Sequence, residues 1–265
     1  MDEHVEDGSA VAAPLAEPVD VRRHGEVMVV TLNRPGAANS LEPETINAIG
    51  RALVEAEEDE TVRVFVLTAA GDRVFCAGMD LKAFAAGRRG AGEGPGLDPL
   101  LRRVFPKPTI AAVNGTAVAG GFELVLGCDL VVAADHARFG IPEVTRGLVA
   151  AGGGTRLPRR LPVAVALELG LLGDLIDAPR ALALGLVNRV VPGERVLAEA
   201  LELAQRLCEN GPLALRVTKE LMYAELGTTD WDVVSRAAAP VFASDDAREG
   251  ALAFAEKRRP RWRGR

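Results

Sequence analysis

Histidine and cysteine are both scarce in this chain of 265 residues, with three of each. His4, His24 and His136 have no neighbouring Cys or His at metal-ligand spacing, so no metal site is expected. Cys76, Cys128 and Cys208 form an odd set without paired spacing. That is the pattern of reduced thiols rather than a disulfide framework, and the expected compartment is the cytoplasm. No apolar run is long enough to cross a bilayer, so no membrane partner is expected. Positive charge is also in deficit. The net charge of -6 excludes a dedicated nucleic-acid binder, and the basic run at residues 257–265 is read as a solvated terminus. Three motifs are missing: the G-x-S-x-G elbow, the G-x-x-x-x-G-K-[ST] phosphate loop, and a G-x-G-x-x-G turn after a strand. Serine hydrolysis, nucleotide hydrolysis and dinucleotide redox chemistry lose their usual support. Chemistry then falls to carboxylates and backbone amides.

Apolar residues make up 48% of the chain and charged residues 26%, an ordinary globular composition with enough length for a large core. Residues 1–20 are acidic and rich in Ala and Pro, with no basic segment leading an apolar one. They read as a disordered tail, not a secretory signal. Strands are predicted at 26–32 (EVMVVTL), 62–68 (VRVFVLT), 110–113, 130–133 and 186–191. Helices are predicted at 43–59, where Ile46, Ile49, Leu53 and Val54 share a side, and at 121–126. Alternating strands and helices imply an α/β fold with mostly parallel pairing. From residue 194 only helices are evident. The expected division is a tail (1–20), a core (21–193) and a C-terminal helical region (194–265). The Gly-rich stretch 85–99 reads as a mobile surface loop or a lid over a site.

Two segments are suited to presenting backbone N–H groups. In FCAGMDL (Phe75 to Leu81), Gly78 permits a strained turn, which lets the Met79 amide face a cavity. In NGTAVAGGFE (Asn114 to Glu123), a strand runs into a helix whose first amides lack internal partners. Gly120 and Gly121 allow close approach there. Two amides aimed at one point form an oxyanion hole, each donor contributing roughly 3–4 kcal/mol to a transition state that builds charge on oxygen. Taken singly, each segment also suits an ordinary strand-to-helix turn. Glu123 lies in the first turn of that helix, and Glu143 follows the next strand in FGIPE. Ligands of α/β sheets bind beyond the carboxyl ends of strands, where two carboxylates can divide acid and base roles. Helix-dipole complementarity and a helix start after Pro142 explain the same residues without chemistry.

These segments together resemble the enoyl-CoA hydratase/isomerase (crotonase) superfamily. The resembling blocks are LNRP with NSL (residues 32–41), FCAGMDL, KPTIAAVNGTAVAGGFELVLGCDLVVAA (107–134), ARFGIPEVTRGLVAAGGGTRLPRRL (137–161), GLVNRVVP (185–192) and EGALAFAEKRRPRWRGR (249–265). The resemblance implies a crotonase-like spiral of ββα units with a helical C-terminal oligomerisation region, assembling as a homotrimer or a hexamer. It implies an acyl-CoA thioester held by the amides of Met79 and Gly120, with coenzyme A part of the substrate and no separate cofactor. It implies an enoyl-CoA hydratase that adds water reversibly to a trans-2-enoyl-CoA. Glu123 activates the water that attacks C3, and Glu143 protonates C2. Ala77, Asp80, Leu81 and Lys82 are the implied CoA contacts. The family often has a basic residue near Gly36 for CoA phosphate. This chain has Gly36-Ala37-Ala38, so the phosphate contact passes to Arg34, Lys82 or the C-terminus. Siblings include isomerases, dehydratases and hydratases of unusual acyl groups such as crotonobetainyl-CoA, and a non-catalytic acyl-CoA binder is a further class.

Overall fold

The computed structural model describes residues 17–87, 93–102, 104–227, 231–261 and 263. The expected N-terminal tail lies outside these residues up to position 16. Order begins earlier than the sequence suggests: strand β1 (Val19–His24) pairs antiparallel with β2 (Val27–Leu32). The pairing holds because Val19 and Val27 are buried while the rest of β1 faces outward, a pattern suited to a sheet edge.

Helix α1 (Pro43–Glu58) starts on Pro43, whose missing N–H costs nothing in a first turn. It buries Ile49, Ala52, Leu53 and Ala56. Strands β3 (Val64–Ala69), β5 (Thr109–Val113) and β7 (Leu130–Ala134) are apolar along nearly their whole length because both sheet faces are covered. They align in parallel beside β2, with β10 (Arg189–Val191) at the far edge, giving the order β1-β2-β3-β5-β7-β10. A second sheet takes the short strands β4 (Val74–Cys76), β6 (Thr116–Val118), β8 (Arg138–Gly140) and β9 (Ile176–Asp177), in that order. Each pass, β3–β4, β5–β6 and β7–β8, therefore adds one parallel strand to each sheet. The chain is an α/β spiral of ββα units. Three or fewer residues per strand leave too little period-2 signal to read, so the second sheet was invisible in the sequence.

After β4 comes the short helix α2 (Leu81–Ala85). The expected loop at 85–99 is corrected in part. Its end turns into α3 (Asp98–Leu101), where Pro99, Leu100 and Leu101 are buried, while residues 88–92 lie outside the described residues. Helix α4 (Gly120–Gly127) follows β6, and helices α5 (Leu157–Arg160), α6 (Val163–Leu172) and α7 (Ala178–Ala183) wrap the second sheet. The expected strand at 186–191 shortens to β10, with Leu186 and Val187 buried in the turn before it.

The C-terminal helices pack on the core. α8 (Val196–Cys208) lies across β3, β5 and β7. α9 (Pro212–Glu225) is tied down by charge: Lys219 Nζ meets Asp129 Oδ2 at 2.7 Å and Tyr223 donates to Asp129 Oδ1 at 3.0 Å. Asp129 also accepts from the backbone and hydroxyl of Thr109. α10 (Trp231–Ala243) and α11 (Asp245–Ala255) close the fold. Ser244 caps α11 by accepting from the Ala247 amide. No described helix is long and apolar enough to cross a membrane.

Truncating Asp129 strands a buried ammonium. Asp129→Ala is expected to lower the unfolding free energy by about 3–5 kcal/mol in urea titrations. Adding Lys219→Met to that variant is expected to restore part of the loss.

Candidate active site

The turn after β4 and the start of α4 meet at van der Waals contact. A Cβ on Gly78 would sit 2.7 Å from Ala119 Cβ and 2.8 Å from Gly120 N, and Gly78 has φ +81. Only glycine meets both demands. A Cβ on Gly120 would sit 3.7 Å from Met79 N. The two amides therefore lie side by side. Leu41 pairs with Met79 as a parallel bridge, using the Gly78 carbonyl and the Asp80 amide. That pairing turns the Met79 N–H away from Leu41. Among the described residues neither the Met79 nor the Gly120 amide has an acceptor. Ala119, which caps α4, holds φ 51 and ψ -130. Such backbone in a non-glycine residue costs about 1–3 kcal/mol and is kept where the surroundings enforce it. Here the Ala119 N–H donates to Gly140 O at 3.0 Å.

These amides border a cavity of about 600 Å³. Glu123 and Glu143 line it, as do Ala77, Met79, Asp80, Leu81 and Gly120. The structure thus gathers seven of the nine site residues expected from the sequence. The other two differ. Arg34 is not on the wall: its guanidinium donates to Ser40 O at 2.7 Å and pairs with Glu42 at 3.0 Å and Asp80 at 3.9 Å. It braces the turn instead of offering a free charge. The side chain of Lys82 lies outside the described residues.

Glu123 is only 7% exposed. Its Oε1 accepts from the Gly154 N–H at 2.9 Å, and the amides of Gly152 and Gly153 also turn toward the carboxyl. Burial raises its pKa, and the three amides pull it back by stabilising the carboxylate. A Cβ on Gly152 would come 2.4 Å from Oε2, so this cradle requires glycine. Nothing comparable holds Glu143. Its Oε2 is buried with no partner among the described residues. Burial first, and then the charge of Glu123, push its pKa up to about 8. The three amides favour the ionised form of Glu123, and nothing of the kind offsets burial at Glu143, so the surroundings hold Glu143 toward the carboxylic acid.

The sequence reading missed four contributors. Gly152 to Gly154 sit in a stretch that reads as a helix approach. Arg146, Phe242 and Phe254 line the cavity from the short 3-10 turn at Pro142–Arg146 and from α10 and α11. The three cysteines are unpaired, and burial pushes the Cys76 and Cys128 thiols up to about 12, which leaves them inert. No cluster of metal-binding side chains occurs among the described residues.

Residues 22–265 match the family model described as enoyl-CoA hydratase/isomerase. The chain belongs to that family. It is 41% identical to a carnitinyl-CoA dehydratase of Citrobacter koseri, covering 95% of this chain and 100% of that one. A solved carnitinyl-CoA hydratase of Mycobacterium avium superposes with a TM-score of 0.87 at 42% identity, over 95% of this chain and 100% of that one. An enoyl-CoA hydratase of Mycobacterium tuberculosis gives 0.75 at 45% identity, over 94% and 100%. Membership of the enoyl-CoA hydratase/isomerase family accounts for the spiral of ββα units that brings the two turns together.

Glu143 also links pH to stability. Its ordinary carboxyl value is 4.5 and its folded value about 8. Between those pH values the folded chain holds a proton that the unfolded chain has released, so this residue lowers stability as pH rises through the window. Glu143→Gln removes that cost. Its Tm relative to wild type is expected to rise from pH 5 to pH 8, as read by differential scanning calorimetry.

Proposed function

We propose that this protein is a hydro-lyase that interconverts a trans-2-enoyl-CoA and its 3-hydroxyacyl-CoA. The observation that carries the proposal is one cavity holding two free amides and two carboxyl groups, one of them cradled by three glycine amides and the other without a partner among the described residues. The thioester oxygen accepts from Met79 N–H and Gly120 N–H, and the enolate charge that grows on it is stabilised there. Glu123 takes a proton from water as the water oxygen bonds to C3. Glu143 gives its proton to C2 as the enolate collapses. Glu123 ends protonated and Glu143 ionised, and exchange with solvent resets the pair. The reverse reaction starts from the other placement of the same single proton, so both directions need the pair to hold one proton and both fall away as pH rises far enough to remove it.

A second reading keeps this chemistry and changes the acyl group to carnitinyl. The relatives that carry that name support it, and Phe242 on the cavity wall offers an aromatic surface of the kind that receives quaternary ammonium groups.

The proposal extends to self-association. Val163, Leu167 and Leu171, four residues apart along α6, are 62%, 51% and 70% exposed. Leu213, Val217 and Leu221 repeat the pattern on α9. Apolar stripes of this size suit burial against other copies of the chain. Light scattering on the eluting protein is expected to give a multiple of the monomer mass, with Leu167→Glu/Leu171→Glu lowering it.

The activity test uses crotonyl-CoA, followed by loss of conjugated-enoyl absorbance, alongside crotonobetainyl-CoA. Wild type is expected to turn over at least one of them. Glu123→Ala and Glu143→Ala are each expected to lose about 10²- to 10⁴-fold in kcat while still binding the ester. Binding of both esters without turnover would sink the hydro-lyase reading.

A further inference from the structure

The cavity wall is electrically lopsided. It carries three carboxyl groups, from Asp80, Glu123 and Glu143, and among the described residues one cation, Arg146. Asp80 is committed elsewhere: it receives the Ser40 hydroxyl at 3.3 Å, caps α2 by accepting from the Ala83 amide at 3.1 Å, and faces Arg34. Arg34, the other guanidinium of this region, is balanced by Glu42. Arg146 has no carboxylate within ion-pair distance among the described residues. Its Nη1 donates to Thr145 Oγ1 at 2.8 Å and to Thr145 O at 3.2 Å. The guanidinium carbon lies 4.9 Å from the centre of the Phe254 ring. These contacts fix the group without neutralising it, and they leave the N–H groups of Nε and Nη2 unspent.

The main chain of Arg146 is fixed as firmly. α11 crosses it so closely that a Cβ on Gly250 would come 1.9 Å from Arg146 O. The Arg146 side chain is half-buried and cannot be swung far into solvent without breaking the stack on Phe254 and the bond to Thr145. A partly desolvated planar guanidinium with two donors on offer matches the paired oxygens of a phosphate or a carboxylate. Arg146 also sits three residues beyond Glu143 in a 3-10 turn, where residues i and i+3 fall on one edge. Acid and guanidinium therefore share one edge of that turn and one cavity.

We propose that Arg146 is the anion receptor of this cavity and selects acyl-CoA ligands that lay a phosphate or carboxylate oxygen against it. The inference rests on the reading of the cavity as an acyl-CoA site. Two sources offer such oxygens: the phosphates of the CoA nucleotide, and an acidic group on the acyl tail. A neutral or cationic acyl tail gains nothing from Arg146, so in that case the nucleotide alone engages it.

The test is a square of four thioesters: crotonyl and glutaconyl groups, the second ending in a carboxylate, each on CoA and on phosphate-free pantetheine. Equilibrium binding and turnover are both measured for wild type, Arg146→Leu and Arg146→Lys. If the phosphates are the partner, Arg146→Leu is expected to weaken crotonyl-CoA about 10- to 100-fold more than crotonyl-pantetheine. If the acyl carboxylate is the partner, the same excess loss appears for glutaconyl-pantetheine over crotonyl-pantetheine. Arg146→Lys is expected to recover only part of either loss, because one ammonium cannot reproduce the paired donors. Losses equal across all four esters, or absent from all four, would overturn the proposal. Binding that discriminates in this way without turnover would sink the hydro-lyase reading and leave the anion receptor standing. Thermal unfolding of Arg146→Leu, with Arg146→Gln as a second variant, separates lost recognition from lost folding.

Discussion

Everything at this site depends on how closely two backbone turns approach each other. Gly78 and Gly120 come together where no side chain fits, and the distance between Met79 N and the Gly120 position follows from that contact. The sheets exist to deliver it. β4 and β6 are adjacent parallel strands, so the chain leaves both in the same direction and at the same height. Gly121 reinforces the arrangement, since a Cβ there would strike Cys76 O at 2.2 Å. The strain at Ala119 belongs to the same constraint: α4 must begin abruptly if its first amide is to face the cavity rather than continue the strand. A donor pair held by packed backbone has nothing to reorganise as charge develops, which is where this type of stabilisation obtains its strength.

Two chemically identical carboxyl groups sit in different surroundings because one has a cradle and the other does not. Three consecutive glycine amides face Glu123, while Glu143 Oε2 is buried with no partner among the described residues. Glu123 also acts on Glu143 through its charge. The negative charge on Glu123 is one cause of the raised value at Glu143, so ionising the first holds the proton on the second. The surroundings alone set the two carboxyl groups apart.

Much of this was legible in advance because it is carried by strongly patterned segments. Apolar runs such as VFVLTA and TIAAV show the large sheet directly. The glycine turns and both glutamates stand out because their types are unusual beside a strand end. What escaped was either short or distant. β4, β6 and β8 have three residues each, and three residues show no period. Arg34 sits in a motif that the family resemblance links to phosphate, yet Glu42 and Asp80, brought in by the fold, claim its charge. Phe242 and Phe254 reach the cavity from helices more than ninety residues beyond Glu143 in the chain, and no local pattern announces such a contact.

The docking of α11 across Arg146 has a consequence in time. Val196 to Cys208 and the strands beneath them complete the central core. The cavity wall still waits for Phe242 and Phe254, which follow both glutamates by about a hundred residues. A nascent chain can assemble its sheets, its paired amides and both glutamates while the chamber around them stays open to water. The chamber closes only when α11 seats against Arg146. A chain with that helix unseated keeps its sheets and its paired amides but has no closed chamber in which to work.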